Sequence, residues 1–417
     1  MRYLDLFAGA GGLSEGFIRE GFEPIAHVEL WEAACYTLKT RAAFHYLKKN
    51  HLVNIYKKYL KGDISREKLY SSVPPQILES VICKEISDDT IRDIFSKIDE
   101  LANQQSIDLI LGGPPCQAYS LAGRARDPKG MKGDKRNYLF HYYAQFLEKY
   151  KPKYFVFENV LGLLSAKDDT GAKYFDIMQT EFEKIGYKVK YEVLSANDFG
   201  VLQNRNRVIL VGKLTSKDFK YPRPQEYHPR TNVNAVFSDL PAIHAGCGDV
   251  HNCVLSSNHD SWLDNVGIRA ASYPVTFHRA RPNSHQDLEI YRRVVQTWNN
   301  ENRRLNYNEL PEYLKTHANR KTFLDRFKVV AANESASQTV VAHICKDGHY
   351  YIHPDINQNR SITPREAARL QTFPDNYYFE SVSGKPSCTD AYKQIGNAVP
   401  VFLAQKIAAK LKEVWNE

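Results

Sequence analysis

The sequence predicts an α/β protein: a parallel sheet covered by helices on both faces, with a second, smaller and irregular β-rich domain. Three observations carry this. Short apolar runs alternate with amphipathic stretches through the first half of the chain, a glycine-rich turn follows the first of those runs, and the texture changes after Gly212. Alternation of this kind builds parallel sheets with both faces covered. At 417 residues the chain exceeds one simple core, so two domains are expected.

Strands are expected at Tyr3–Phe7, Pro24–Leu30, Ile107–Leu111, Tyr154–Val160, Val189–Leu194 and Val208–Gly212. Amphipathic spacing places helices at Tyr138–Tyr150 and Tyr174–Ile185. Residues 33–106 are long for one connection; they hold a charged helical stretch, Asp89–Ala102, and from residue 65 they read as an insertion. Residues 214–359 are rich in Asn, Arg, His and Tyr, and are read as the irregular β domain. From Pro364 a helical pattern resumes, ending in an amphipathic helix at Val399–Trp415. The expected units are therefore 1–213, 214–359 and a returning segment, 360–417.

Composition narrows the class. A 43% apolar and 25% charged chain is ordinary for a globular protein. No apolar run reaches membrane-spanning length, and the N-terminus enters a strand with no leader pattern. The seven cysteines lack framework spacing, which points to reduced thiols and a cytoplasmic location. A net charge of +8 suits a polyanionic partner, although many basic proteins bind no nucleic acid.

The stretch "IDLILGGPPCQAYS" (Ile107–Ser120) ends an apolar strand with two glycines, two prolines and Cys116. Prolines fix φ and remove donors, so the turn is stiff and presents Cys116 at a set angle. Taken alone, the cysteine reads equally as a small buried hydrophobe. In "DLFAGAGGLSEGF" (Asp5–Phe17), Gly9, Gly11 and Gly12 let the backbone approach a ligand at the first strand's carboxyl end. Ser14 stands where the third glycine of a dinucleotide fingerprint belongs. Glu29, twenty residues after Gly9, can accept two hydrogen bonds from a ribose diol. S-adenosylmethionine fits this pattern better than NAD.

"FVFENV" (Phe155–Val160) places Glu158 at the end of an apolar strand, an expensive position for a carboxylate unless something uses it. "QNRNRVILVG" spaces Gln203, Arg205 and Arg207 by two, putting the three on one face of an extended segment. By itself that is most often a solvated edge.

Taken together the segments resemble the DNA cytosine-5 methyltransferase family of bacterial restriction-modification systems. The resemblance rests on these four segments and on "VEL", "GDI" (Gly62–Ile64), "RNYLF" (Arg136–Phe140), "RSITPREAARLQTFPD" (Arg360–Asp375) and "QIGNAVP" (Gln394–Pro400), in the family's order. It implies a Rossmann-like sheet binding S-adenosylmethionine, with 214–359 as the target-recognition domain. It further implies a DNA (cytosine-5-)-methyltransferase acting on a cytosine flipped out of a short duplex sequence. Cys116 is then the nucleophile that adds to C6, Glu158 holds N3 and the exocyclic amine, and Arg207 reaches O2. Arg205, placed in the same catalytic group, positions that region or the neighbouring backbone. For the cofactor the resemblance assigns Phe7, Gly9, Gly11, Gly12, Leu13, Glu29, Leu30, Asp63, Ile64, Pro114, Leu139, Asn397 and Ala398. Asp63 is to take the adenine amine. Trp31 departs from the Asp or Asn that many relatives carry there, so Leu30 and Trp31 form an unusual corner.

For DNA, Gln117, Ser120, Gly123, Arg124 and Arg136 lie in the family's mobile loop, and Thr339 approaches the backbone near the flipped base. A monomer is expected, with a restriction endonuclease as functional counterpart and no membrane partner. His244, Cys247, His251 and Cys253 are close in sequence, but zinc sites show tighter paired spacing, so no metal is expected. Three rival readings remain: a transfer-RNA cytosine-5 methyltransferase of the same fold, an NAD-dependent oxidoreductase with an active-site cysteine, and a DNA-binding regulator without catalysis.

Overall fold

The structure is a computed structural model and describes residues 1–115, 138–269 and 272–417. Its strands are β1 (Arg2–Leu6), β2 (Glu23–Glu29), β3 (Val81–Cys83), β4 (Leu109–Gly112), β5 (Tyr154–Asn159), β6 (Tyr187–Ser195) and β7 (Asn206–Leu214). They form one sheet in the order β3-β2-β1-β4-β5-β7-β6. The first five in that order run parallel, while β7 is antiparallel to both β5 and β6. Both sides of the sheet are apolar because alternate residues feed two cores. Tyr3, Leu109, Leu111 and Val156 face one, and Leu4, Leu6, Ile110 and Phe157 the other. Continuous apolar runs are what a strand buried on both faces requires.

The helices of the first half are α1 (Gly12–Arg19), α2 (Glu32–Lys49), α3 (Val53–Leu60), α4 (Arg66–Tyr70), α5 (Pro75–Glu79), α6 (Ile91–Ala102), α7 (Leu139–Tyr150) and α8 (Tyr174–Lys184). The expected insertion from residue 65 is corrected here: β3 lies within it and pairs with β2, and α6 buries Ile91, Ile94 and Ile98 in the sheet's second core. Three residues are too few to show a strand's alternation, so the edge strand left little trace in the sequence.

Residues 214–359 are irregular as expected, but little of that region is β. Its described residues hold the two-residue pair β8 (Gly248–Asp249) and β9 (His278–Arg279), the short α9 (Trp262–Asn265) and the 17-residue α10 (His285–Glu301). The signal for α10 was present. Ile290, Tyr291, Val294 and Val295 form one buried helical stripe, and Ser284 with Asp287 closes a capping box.

Three helices end the chain: α11 (Pro364–Leu370), α12 (Cys388–Asn397) and α13 (Val401–Glu413). α13 packs on α1 so closely that a Cβ on Gly16 would lie 2.5 Å from Ala404 Cβ. Arg369 joins the irregular region to this segment through fully buried ion pairs, at 2.6 Å to Asp239 and 2.7 Å to Asp375. Trp262 Nε1 donates to the Gly200 carbonyl at 2.9 Å, a second tie between the sheet and the irregular region.

Candidate active site

The turn after β1 begins with Phe7 in the left-handed region, at φ 57°. It leads to Gly12, where an added Cβ would sit 2.4 Å from the Val399 carbonyl and 3.2 Å from Ala398 Cβ. The chain thus brings the glycine turn against the residues following α12, with Asn397 exposed at that helix's end and Leu13 buried below. Glu29, closing β2, accepts from the Gly9 N–H and the Trp31 N–H, each at 2.8 Å and each on its own carboxylate oxygen. Burial holds the Glu29 carboxyl above its ordinary range, against the backbone N–H groups of Trp31, Gly9 and Leu30. Each oxygen has further lone-pair capacity, which is what a vicinal diol requires.

Leu30 is 60% exposed, and the Trp31 ring lies under Lys393 Nζ at 4.3 Å. Trp31 therefore contributes its N–H to Glu29 and its ring to a cation–π contact. Asp5, one strand over, is buried with Oδ2 lacking a partner among the described residues. Burial, then the charge of Glu29, pushes its carboxyl up to about 8.

Asp63 and Ile64 are not at this corner. Asp63 is exposed on the turn after α3, where neighbouring Gly62 lies against His251, and Ile64 packs on the core shared with α3. The backbone that adjoins Glu29 is β3, with Cys83 in register beside it. The acid and isoleucine following that strand are Glu85, exposed, and Ile86, buried. Sequence reasoning missed them because the same acid–isoleucine pair occurs at 63–64 and β3 went unseen.

At the carboxyl end of β4, close packing accounts for both glycines. A Cβ on Gly112 would approach the Leu6 carbonyl to 2.6 Å, and one on Gly113 would meet Glu158 Oε2 at 2.8 Å. Asn159 Nδ2 donates to the Pro114 carbonyl at 3.2 Å and fixes the turn from the other side. Glu158 pairs with Arg207 Nε at 2.6 Å, both side chains being mostly buried. Cys116 follows this turn by one residue but lies outside the described residues, as do Gln117, Ser120, Gly123, Arg124 and Arg136. Leu139 is half-buried in the first turn of α7.

Of the three alternating side chains of "QNRNR", Gln203 and Arg205 are buried together against Val340, whose N–H donates to Gln203 Oε1 at 2.9 Å, and Arg207 is set apart from them. Gln203 is buried and donates to the Leu370 carbonyl at 2.8 Å. Arg205 is buried on the carbonyls of Val340, Gly396 and Ala398, at 2.6, 3.2 and 2.8 Å. Its place is therefore corrected from the catalytic group to a strut beneath it. Arg207 alone turns to Glu158. An open cleft of about 670 Å³ lies beside it, lined by Val160, Ser195, Asn197, Asn204, Asn206 and Thr339 among others. The Thr339 hydroxyl donates to the Asn204 carbonyl on its wall.

Of the four residues weighed for zinc, His251 Nδ1 lies 3.0 Å from the Leu60 carbonyl, and burial pushes the Cys253 thiol up to about 12. Among the described residues no three His, Cys, Asp or Glu side chains gather as a metal set, and no helix is long and apolar enough to cross a membrane.

The family model for C-5 cytosine-specific DNA methylases matches residues 1–78 and 63–413. The chain belongs to the C-5 cytosine-specific DNA methylase family. It is 40% identical to the Type II methyltransferase M.Bpa9945I of Bacillus paralicheniformis, covering 100% of this chain and 99% of the relative. It is 30% identical to the Type II methyltransferase M1.HphI of Haemophilus parahaemolyticus, covering 100% and 88%. The fold is shared with a prophage-encoded E. coli protein, at a TM-score of 0.64 and 20% identity over 100% of both chains. It is also shared with the S. pombe Dnmt2 methyltransferase, at a TM-score of 0.51 and 15% identity over 99% of both. This methylase is thus a cytosine-C5 DNA methyltransferase of the restriction-modification type, with the α/β sheet read from its sequence.

Proposed function

We propose that this methylase transfers a methyl group from S-adenosylmethionine to C5 of a cytosine flipped out of a short duplex sequence, and so protects that sequence from a cognate restriction endonuclease. The observation that carries the reading is the contact of Gly113 with Glu158. It seats the turn leading to Cys116 directly on the strand-end carboxylate, with Arg207 2.6 Å beyond.

The cofactor's place is supported by the glycine turn and by Glu29, whose two oxygens bridge the Gly9 and Trp31 N–H groups and keep acceptor capacity for a ribose. Phe7, Gly9, Gly11, Gly12 and Leu13 would line it on one side. Pro114, Leu139, Asn397 and Ala398 would close it on the other. Glu85 and Ile86 replace Asp63 and Ile64 as the pair beside the adenine. When bound, S-adenosylmethionine supplies an electrophilic methyl on sulfonium.

C5 of cytosine is a poor nucleophile, so the protein's task is to raise its reactivity. A base inside a duplex cannot meet a thiolate at C6, so it must leave the stack, and the cleft beside Arg207 is where it would enter. The Cys116 thiolate adds to C6, making C5 enamine-like. Glu158 hydrogen-bonds N3 and the exocyclic amine, steadying the charge that develops as the adduct forms. Arg207 holds Glu158 in place and offers its remaining N–H groups to O2. Once C5 carries the methyl group, its proton passes to solvent and the freed C–H electron pair expels the thiolate from C6, restoring the aromatic ring.

The transfer-RNA reading is not favoured, because the matching family model is specific for DNA. Nothing favours the oxidoreductase reading, and the Glu158–Arg207 pair set at the Cys116 turn speaks against a non-catalytic regulator.

DNA carrying 5-fluorocytosine at the target tests the chemistry, since fluorine cannot leave as the C5 proton does. The methylase should be trapped covalently, only with S-adenosylmethionine present, and Cys116→Ser should abolish trapping. An adduct mapped to any other cysteine would overturn the assignment.

A further inference from the structure

Two cysteines that methyl transfer does not use meet beside Glu29. Cys35 stands in the first turn of α2 and is buried, whereas Cys83 ends β3 and is exposed. Strand alternation turns Cys83 towards α2. Ile82 enters the sheet's second core, so Val81 and Cys83 share the opposite face, where Val81 packs against Cys35 and Leu38. Glu29 fixes the position along the strand. Cys83 is its partner in register, and the Cys35 thiol donates to the Glu29 carbonyl at 3.3 Å. The two thiols are hydrogen-bonding neighbours.

Their surroundings give them different parts. Burial, then the contact with Cys83, holds the Cys35 thiol well above its ordinary range, so it stays protonated. Cys83 is the thiol that a dissolved oxidant reaches first. With hydrogen peroxide the Cys83 thiolate attacks one oxygen, the O–O bond breaks, and a sulfenic acid and one water result. The Cys35 sulfur then attacks the Cys83 sulfur and the S–O bond breaks. The departing hydroxide takes the Cys35 proton and leaves as a second water. Two electrons have passed from the thiol pair to the peroxide.

The consequence falls on the corner assigned to the cofactor. Cys35 ties the turn before α2 twice, by its thiol to the Glu29 carbonyl and by its N–H to the Trp31 carbonyl at 3.0 Å. Cys83 stands two residues before Glu85. A disulfide draws the sulfurs from contact distance to about 2 Å. It also removes the S–H donor from Glu29 and pulls the end of β3 towards α2, so Glu29 and Glu85 shift relative to each other.

We propose that Cys35 and Cys83 form a thiol pair that a hydroperoxide oxidises to a disulfide, and that this disulfide lowers the methylase's affinity for S-adenosylmethionine. The proposal rests on the reading of this corner as the cofactor site and adds its regulation.

The test treats the full chain with hydrogen peroxide, digests it without reduction and maps the peptides by mass spectrometry. Calorimetry measures S-adenosylmethionine affinity before oxidation, after it, and after dithiothreitol. A linked Cys35–Cys83 peptide should form, and affinity should fall roughly tenfold, about the worth of one hydrogen bond to a charged group. Reductant should restore it. Cys83→Ser, a surface change, should keep the reduced affinity and lose the response, although every other cysteine receives the same treatment. By linkage, saturating S-adenosylmethionine should make the pair easier to reduce by the same factor, about 30 mV in a glutathione titration. Absence of the linked peptide would overturn the pair. A linked peptide with unchanged affinity, or an equal loss in Cys83→Ser, would overturn its effect on the cofactor. If the reduced chain bound no S-adenosylmethionine, the cofactor reading would fail instead, while the peptide map would still decide the pair.

Discussion

Asp5 and Glu29 are neighbouring carboxyls that the backbone treats oppositely. Glu29 receives N–H groups from Gly9 and Trp31, whereas Asp5 Oδ2 receives none from the described residues. For Asp5, burial and then the charge of Glu29 push the carboxyl up to about 8. A carboxyl raised in the fold takes up a proton on folding at neutral pH. Its favourable contribution is full below the unfolded value and is lost as pH climbs toward 8. Asp5→Asn should therefore melt increasingly above wild type from pH 5 to pH 8, reaching on the order of a few kcal/mol. Parallel stability–pH curves for the two proteins would show that Asp5 is ionised in the fold. Glu29→Ala should weaken S-adenosylmethionine binding by roughly 1.5–3 kcal/mol, the worth of hydrogen bonds to a charged group. Calorimetry returning the wild-type affinity would remove Glu29 from the cofactor site.

At the scale of elements, the turn after β4 is set by contacts on both sides. Leu6 and Glu158 leave no room for a Cβ on Gly112 or Gly113, and Asn159 grips the Pro114 carbonyl. Gly113→Ala should overpack this turn at a cost of about 1–3 kcal/mol and push Glu158 away from Arg207. Methyl transfer should fall by two orders of magnitude or more, well beyond any weakening of S-adenosylmethionine binding through the neighbouring Pro114. Wild-type turnover in this variant would mean that the turn does not aim the residues after it. α10 makes a complementary point: its apolar stripe and capping box were readable in residues 284–295, yet the surrounding polar texture suggested β structure. Local periodicity was the better guide.

Across the whole molecule, the irregular region and the sheet are tied by buried polar contacts. Arg369 bridges Asp239 and Asp375, Trp262 reaches the Gly200 carbonyl, and Arg205 spans Val340 and the end of α12. Exchanging residues 214–359 for those of a relative with a known site should transfer the relative's sequence preference, provided that Arg369 keeps a carboxylate partner. Sequencing that returned the parent's motif would place base reading in the sheet domain. Binding should weaken steeply with salt, because each phosphate contact made by this +8 chain releases counterions.

The sequence by itself determined the apolar runs of β1, β4, β5 and β7, the glycine turn after β1, and Glu158 at a strand's carboxyl end. These follow from neighbours one to four residues apart, where hydrophobic period and glycine placement act directly. Tertiary structure alone decided which residues meet. Gly12 meets Val399, Arg205 meets Val340, and Glu29 has Cys83 beside it, with Asp63 elsewhere. Two acid–isoleucine pairs are alike along the chain, and Arg205 and Arg207 have the same spacing and charge. Only the sheet order, which makes β3 the neighbour of β2, and the return of the C-terminal segment onto the glycine turn tell them apart. Such contacts join residues scores to hundreds of positions apart, and no local pattern of side chains encodes them.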